Sequence, residues 1–274
     1  ARNAPNIDAD LSGNGLKWND WSAATLSVRG RLPWQGRNGA LAVNGTDINV
    51  GTVLDSLQLD ATGSLQHLQV EGKAHNAMGA IALSGSAQQR GNNWQGTLDT
   101  LRLSVARGTD WTLQQPARFA QQGSNWTLSQ TCLAANGGGS LCANANWPNK
   151  GINVRGEELP LTLLQPWLPR VDNREMVLRG NIDLDGNVRP QGNQWAGNLD
   201  VTSSEGGLKL GTAGRRELAS YKALTLAINF NPQRVQATLG SDLSGDGRID
   251  AKVTTGWDAY APLAGELQIN TSQI

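Results

Sequence analysis

Met176-Val-Leu-Arg-Gly-Asn-Ile-Asp-Leu-Asp-Gly-Asn-Val188 alternates at nearly every step. Met176, Leu178, Gly180, Ile182, Leu184, Gly186 and Val188 fall on one side. Arg179, Asn181, Asp183, Asp185 and Asn187 fall on the other, where Val177 is the single apolar residue. One dry face and one wet face is the pattern of a half-buried antiparallel strand. At about 3.3 Å per residue the run would reach roughly 43 Å, longer than most globular strands.

The same period recurs outward from this stretch. It appears at Leu57–Leu59, Leu68–Val70, Ile81–Leu83, Val235–Leu239 and Ile249–Val253, and in Leu224, Leu226, Ile228 and Phe230 against Thr225 and Asn229. Trp94, Gly96 and Leu98 change phase to Leu101, Leu103 and Val105, which predicts a bulge near Asp99–Thr100. Asn14-Gly15, Asn38-Gly39, Asn44-Gly45, Asn136-Gly137 and Asp246-Gly247 are turn signals. The segment 160–168 alone suggests a helix, with Leu161, Leu164 and Leu168 at helical spacing and expected to dock on the sheet's apolar face. Helices do not alternate with strands, so a doubly wound α/β fold is disfavoured.

Residues 81–99 repeat at 182–200: both carry Ile-x-Leu-x-Gly, then Gly-Asn-x-Trp-x-Gly-x-Leu-Asp at identical spacing. Each copy predicts a strand, a turn and a second strand with Trp and Gly pointing inward. Such repetition implies an extended architecture in which each unit leans on its neighbours.

The 23 basic residues equal the 23 acidic ones and their signs are interspersed, which argues against a nucleic-acid binder. The chain begins at Ala1 without a charged-then-apolar leader. Its longest apolar-leaning stretch, Leu159 to Leu168, is broken by two prolines and falls short of the about 20 residues a bilayer span needs. Any anchor or signal is expected outside this segment.

A many-stranded sheet with one apolar face can pack as a sandwich, close as a barrel or curl into a trough around an apolar ligand. Inward glycines (Gly96, Gly180, Gly186, Gly197) permit sharp bending, and an inward set of Leu, Ile, Val and Ala suits acyl chains. Both features point toward the trough, and on the pattern alone a plain β-sandwich or β-helix core, which the same residues could build, stays open beside it. The expected lining is Leu98, Leu178, Ile182, Leu184, Val188, Leu199, Leu224, Leu226, Ile228, Phe230 and Ile249.

Taken together, Leu178-Arg-Gly-Asn-Ile-Asp-Leu-Asp-Gly186, Trp195-Ala-Gly-Asn-Leu199 and the insert Leu159-Pro-Leu-Thr-Leu-Leu-Gln-Pro-Trp-Leu-Pro169 resemble the TamB branch of the AsmA-like family. The likeness covers essentially the whole chain. It implies a continuous interior segment (1–274) of an inner-membrane-anchored periplasmic protein. The implied fold is all-β: a long curled antiparallel sheet, a β-taco or half-pipe, with an apolar interior and one short helical insert. The implied role is a periplasmic bridge that moves phospholipid between inner and outer membranes. It would also support assembly of outer-membrane proteins such as autotransporters with a TamA-like barrel of the Omp85 class. No catalytic residues come with the family, and no metal or cofactor is expected.

Two further readings stay open. One is a chaperone-like groove for unfolded outer-membrane protein strands. The other is a structural, adhesin-like β-helix, for which coil-length repeats and stacked asparagines are looked for and not found in the sequence. A carbohydrate-active enzyme would place two carboxylates among aromatics on the inward face, where acids are lacking.

Other candidates are weaker. His67, Glu71 and His75 would share a strand face, but the histidines would lie about 26 Å apart, too far for one ion. Asp242, Ser244, Asp246 and Asp250 echo a calcium loop, but Val253 stands where a bidentate Glu is needed, so a hairpin turn is favoured. Trp94 and Trp195 could stack sugars but are expected to pack as strand anchors. Cys132 and Cys142 flank Asn136-Gly-Gly-Gly139, and a hairpin centred on Gly137 would set them opposite each other. Free buried thiols are the alternative; the envelope setting that the resemblance implies favours a disulfide.

Overall fold

Segments that alternate with period two and are joined by short polar turns can satisfy their backbone only by pairing with their neighbours. The computed structural model describes residues 7–18, 21–32, 39–49, 53–106, 108–168, 174–192, 194–211, 217–258 and 261–272. The chain is all-β. Its strands are β1 (Ile7–Trp18), β2 (Trp21–Leu32), β3 (Gly39–Asn49), β4 (Val53–Ser64), β5 (His67–Asn76), β6 (Gly79–Arg90), β7 (Asn93–Val105), β8 (Trp111–Leu113), β9 (Ala117–Gln122) and β10 (Asn125–Ala135). There follow β11 (Ser140–Trp147), β12 (Gly151–Pro160), β13 (Met176–Gln191), β14 (Gln194–Ser203), β15 (Gly206–Leu210), β16 (Ala219–Asn231), β17 (Arg234–Leu243), β18 (Arg248–Asp258) and β19 (Ala261–Ser272). The chain divides into two compact units, Ala1–Thr131 and Cys132–Ile274.

In the first unit β1 to β7 pair in chain order, each antiparallel to the next. β8 and β9 share the far side of β7, and β9 then pairs with β10. The second unit repeats this plan. β11, β12 and β13 pair in order, β14 and β15 share the gap between β13 and β16, and β16 to β19 continue the series. These ladders are antiparallel, whereas a β-helix stacks parallel coils, so the β-helix alternative fails.

The quoted run became β13, 16 residues long, with Leu178, Ile182, Leu184 and Val188 half-buried and Arg179, Asn181, Asp183 and Asp185 exposed. The bulge lies at Asp99: Gly85 pairs with Leu98 and Ser84 with Thr100, leaving Asp99 unpaired and restoring the apolar phase beyond it. Asn136-Gly137 and Asp246-Gly247 lie in turns.

Two turn assignments need correction. Gly15 lies inside β1 with no shift of register, since Asn14 pairs with Thr25 and Leu16 with Ala23, and its φ of 62° is a left-handed conformation that glycine allows. Asn44-Gly45 lies inside β3, paired with Ser27 and Leu26. In both cases the ladder keeps its register through the dipeptide, and of the two glycines Gly15 alone takes the left-handed conformation. Asn38 lies outside the described residues.

The insert differs as well. β12 runs through Pro160, and Leu161–Trp167 is a 3-10 helix packed on β13. With three residues per turn the α-helical spacing of 161, 164 and 168 defines no single face. Leu161, Leu163 and Leu168 are half-buried, but Leu164 is 48% exposed.

Beyond β15 the chain is held by Arg179, whose Nε and Nη2 donate to Glu217 Oε1 and Oε2 at 2.8 and 3.2 Å. These hydrogen bonds, with the guanidinium charge, hold the Glu217 carboxyl below its ordinary value of 4.5. A depressed acid stabilises the fold above its unfolded-state value and loses that contribution as pH falls through the folded value. The gap in urea midpoint between the parent and Glu217→Gln should therefore be widest near neutral pH and narrow as the pH falls below the ordinary carboxylate range.

Cys132 and Cys142 are joined by a disulfide, their Cα atoms 4.0 Å apart. Cys142 pairs with Arg155, which places the bond on the polar side of the second unit. Peptide mapping of non-reduced protein from an oxidising compartment should recover the linked pair. Replacing both cysteines by serine should cost about 2–3 kcal/mol in chemical denaturation, the loop-closure value for so short a ring.

An uncharged apolar face as the candidate functional site

Register, more than any single residue, builds the site. In the second unit, cross-strand partners line up in rows over eight strands from β11 to β19. One row is Ala143, Val154, Gly186, Leu199, Ile228, Ala237, Val253 and Leu267. The next is Leu141, Gly156, Leu184, Val201, Leu226, Leu239, Ala251 and Ile269. At about 4.8 Å per strand each row extends roughly 34 Å. In the first unit Gly13, Leu26, Gly45, Leu57, Ala74 and Ile81 form a comparable row from β1 to β6, and they line a concavity of ≈ 570 Å³. No charged side chain interrupts any of these rows.

All eleven lining residues expected from the sequence are half-buried. Leu98 belongs to the first unit, between Gly85 and Ala117. Leu178, Ile182, Leu184, Val188, Leu199, Leu224, Leu226, Ile228, Phe230 and Ile249 belong to the second. There Val188 crosses to Gly197 and Phe230, and Leu224 to Ser241 and Ile249. Among the described residues no large side chain is fully buried, and Leu11, Leu267 and Ile269 are 65%, 60% and 59% exposed. A sandwich core would have hidden these residues. Here the face is open.

Its glycines are cut to fit their neighbours. Gly72 faces Leu83, Gly85 faces Leu98, Gly156 faces Leu184 and Gly186 faces Leu199, with the large partner always on the following strand. Both phenylalanines of the chain obey the same rule, Phe119 opposite Gly96 and Phe230 opposite Gly197. A Cβ at Gly96 or Gly197 would lie 2.5 or 2.8 Å from the ring. The repeat is thus four strands wide, β5-β6-β7-β9 matching β12-β13-β14-β16. Only its two middle strands were visible in the sequence, because the outer two share a register and not a motif.

The opposite face is polar. Asn144, Asn153, Asn187, Asn198 and Asn229 are successive cross-strand partners. Asn153 Nδ2 donates to Asn144 Oδ1 at 3.0 Å, and Asn187 Nδ2 to Asn153 Oδ1 at 2.8 Å. This is the asparagine stack that the sequence analysis did not find; irregular spacing along the chain hid it. His67, Glu71 and His75 lie on the exposed face of β5, and His75 Nδ1 is 3.1 Å from Asp55 Oδ2. Asp242 and Asp250 both bind Arg248, at 2.7 and 2.8 Å. Of the two tryptophans expected to pack as strand anchors, Trp94 is half-buried, and Trp195, 40% exposed, packs its ring 4.7 Å from that of Trp147.

The whole of this chain, residues 1–274, matches the family model described as TamB, N-terminal domain. The chain belongs to the TamB family. Family membership carries a TamB-type periplasmic role in the translocation and assembly module and in outer-membrane biogenesis, as a transport and assembly component. At the level of the family an Omp85-type partner and an inner-membrane anchor go with it. Among the described residues no helix is long and apolar enough to cross a membrane. No solved structure matches the chain.

Glycine at the notch positions is a packing requirement. Gly197→Ala would drive a methyl into the Asn187 carbonyl and toward Phe230. It should destabilise the protein by about 1–3 kcal/mol in urea titration, the ordinary cost of overpacking. Gly245→Ala, with nothing within 4 Å, should stay within about 0.5 kcal/mol.

Proposed function

We propose that the apolar face is a lipid conduit: it curls into a groove along which phospholipid passes between the inner and outer membranes. In this reading the protein acts as a non-catalytic periplasmic bridge and supports outer-membrane protein assembly with its Omp85-type partner. The observation that carries it is the set of uncharged rows whose large side chains remain half-exposed. Monomers seldom leave a bare apolar patch beyond a few hundred Å², so a face of this extent calls for an apolar occupant. Acyl chains suit it because its lining is aliphatic and supplies no polar side chain along the central rows.

Ile182→Asp separates this reading from a packed core. In a core the carboxylate would be buried unpaired and the fold lost, at several kcal/mol. On an open face it keeps water, so the melting temperature should fall only modestly while the acyl path is broken. A photoreactive residue at Leu184 should crosslink phospholipid, and the same group at outward Asp183 should not. Unfolding of the Ile182→Asp protein together with no lipid adduct at 184 would overturn the conduit.

A further inference from the structure

The two copies of the repeat agree on their apolar side and differ on the polar one. In the second unit Asn144, Asn153, Asn187, Asn198, Asn229 and Gln236 are successive cross-strand partners on β11, β12, β13, β14, β16 and β17. The same places in the first unit, from β4 to β9, hold Thr62, Gln69, Ser86, Thr97 and Arg118. The architecture therefore does not require the amides. Nor are they all spent on holding it together. An asparagine ladder stabilises a sheet when each amide bonds the next. Here that chain runs only from Asn187 through Asn153 to Asn144. It stops before Asn198, whose Nδ2 turns along its own strand to Asp200 Oδ2 at 3.2 Å. Among the described residues the Asn229 side chain has no hydrogen-bond partner.

A concavity of ≈ 720 Å³ opens on the polar face where the ladder stops, and Asn187, Asn198, Asn229, Arg189, Arg234 and Asp200 are among the residues that line it. Its size is that of an ordinary ligand site. Arg234 Nη2 donates to Gln236 Oε1 at 2.9 Å. Arg189 has no partner among the described residues, and it pairs in register with Ala196, whose short side chain leaves room beside it. The chemistry of the lining narrows the occupant. An acyl chain gains nothing from amides that it would only desolvate. A peptide strand needs a free backbone edge, and β13, β14 and β16 are paired on both sides here. A nucleic acid needs clustered cations, whereas Asp200 stands with the two arginines and the rest of the lining is neutral. Sugar hydroxyls each donate and accept, as do the two ends of an amide side chain. The guanidinium fork of Arg189 adds a place for a carboxylate.

We propose that this concavity is a glycan site, for a strand of hydroxyl- and acetamide-bearing sugars with carboxylate substituents. That is the chemistry of the cell-wall polymer, which a periplasmic component of outer-membrane biogenesis works beside. Asn198 and Asn229 bind hydroxyl and acetamide groups of neighbouring sugars, and Arg189 takes a carboxylate. The amides recur at the strand spacing, about 4.8 Å, close to the advance of one sugar along an extended β-linked glycan. The site lies on the polar face of the second unit and is independent of the conduit reading, which concerns the other face.

Cosedimentation with purified cell-wall sacculi, stripped of lipid and protein, tests this. The chain should pellet with the sacculi, and soluble disaccharide-peptide fragments released from them by a muramidase should compete it off. Arg189→Ala with Asn229→Ala should raise the dissociation constant at least about fivefold, the loss expected when a charged and a neutral hydrogen bond are removed. The melting temperature should not change, since neither side chain has a partner in the fold. Gln88→Ala with Arg118→Ala, the corresponding places in the first unit, should bind as the parent does. If the Arg189→Ala, Asn229→Ala protein melts early, Arg189→Gln, which keeps a polar side chain and removes the charge, should show a severalfold loss by itself. A parent that stays in the supernatant, or pellets without being competed off by the fragments, overturns the site. So does parent-like affinity after the second-unit substitutions, or an equal loss after the first-unit ones.

Discussion

Register is the constraint on which everything else in this molecule depends. Side chains alternate across each strand, so a slip of one residue would move Leu, Ile and Val to the charged side and Arg and Asp onto the apolar one. The two faces are unlike enough that such a slip is strongly opposed wherever it begins. The glycine notches sharpen this, since Leu184 over Gly156 or Phe230 over Gly197 fits in one alignment only. Where an extra residue must be absorbed, as at Asp99, the chain bulges locally and the phase recovers on the far side. Correct pairing is therefore specified strand by strand, without a buried core to enforce it.

Much of this was legible in the sequence because period two is a local property. β13 and β16, the Asp99 bulge and the common face of the residues from Leu98 to Ile249 all follow from alternation within one segment. The failures share a cause. The asparagine row, the four-strand width of the repeat and the pairing of Trp147 with Trp195 depend on which residues become cross-strand neighbours, and loop lengths of two to fifteen residues scramble that information along the chain. Asn14-Gly15 and Asn44-Gly45 misled for a different reason: the strand ladders continue through both, so cross-strand pairing overrode a local turn preference. At the insert, prolines at 160 and 166 limited the winding to a 3-10 helix, and with that the α-helical spacing of its leucines lost its meaning.

An open apolar face has an energetic consequence. Half-buried leucines return only part of the transfer energy a sealed core would provide, and that energy normally offsets the entropy of ordering the chain. The balance must come from elements that do not close the face: long backbone ladders, the asparagine row, the ion pairs of the polar side and the Cys132–Cys142 bond. These lie in the sheet plane or behind it, and they leave the apolar rows free. A sandwich would gain stability by covering those rows and would thereby lose the site. The division of labour between faces is what lets one sheet hold itself together on its polar side and keep its apolar rows uncovered on the other.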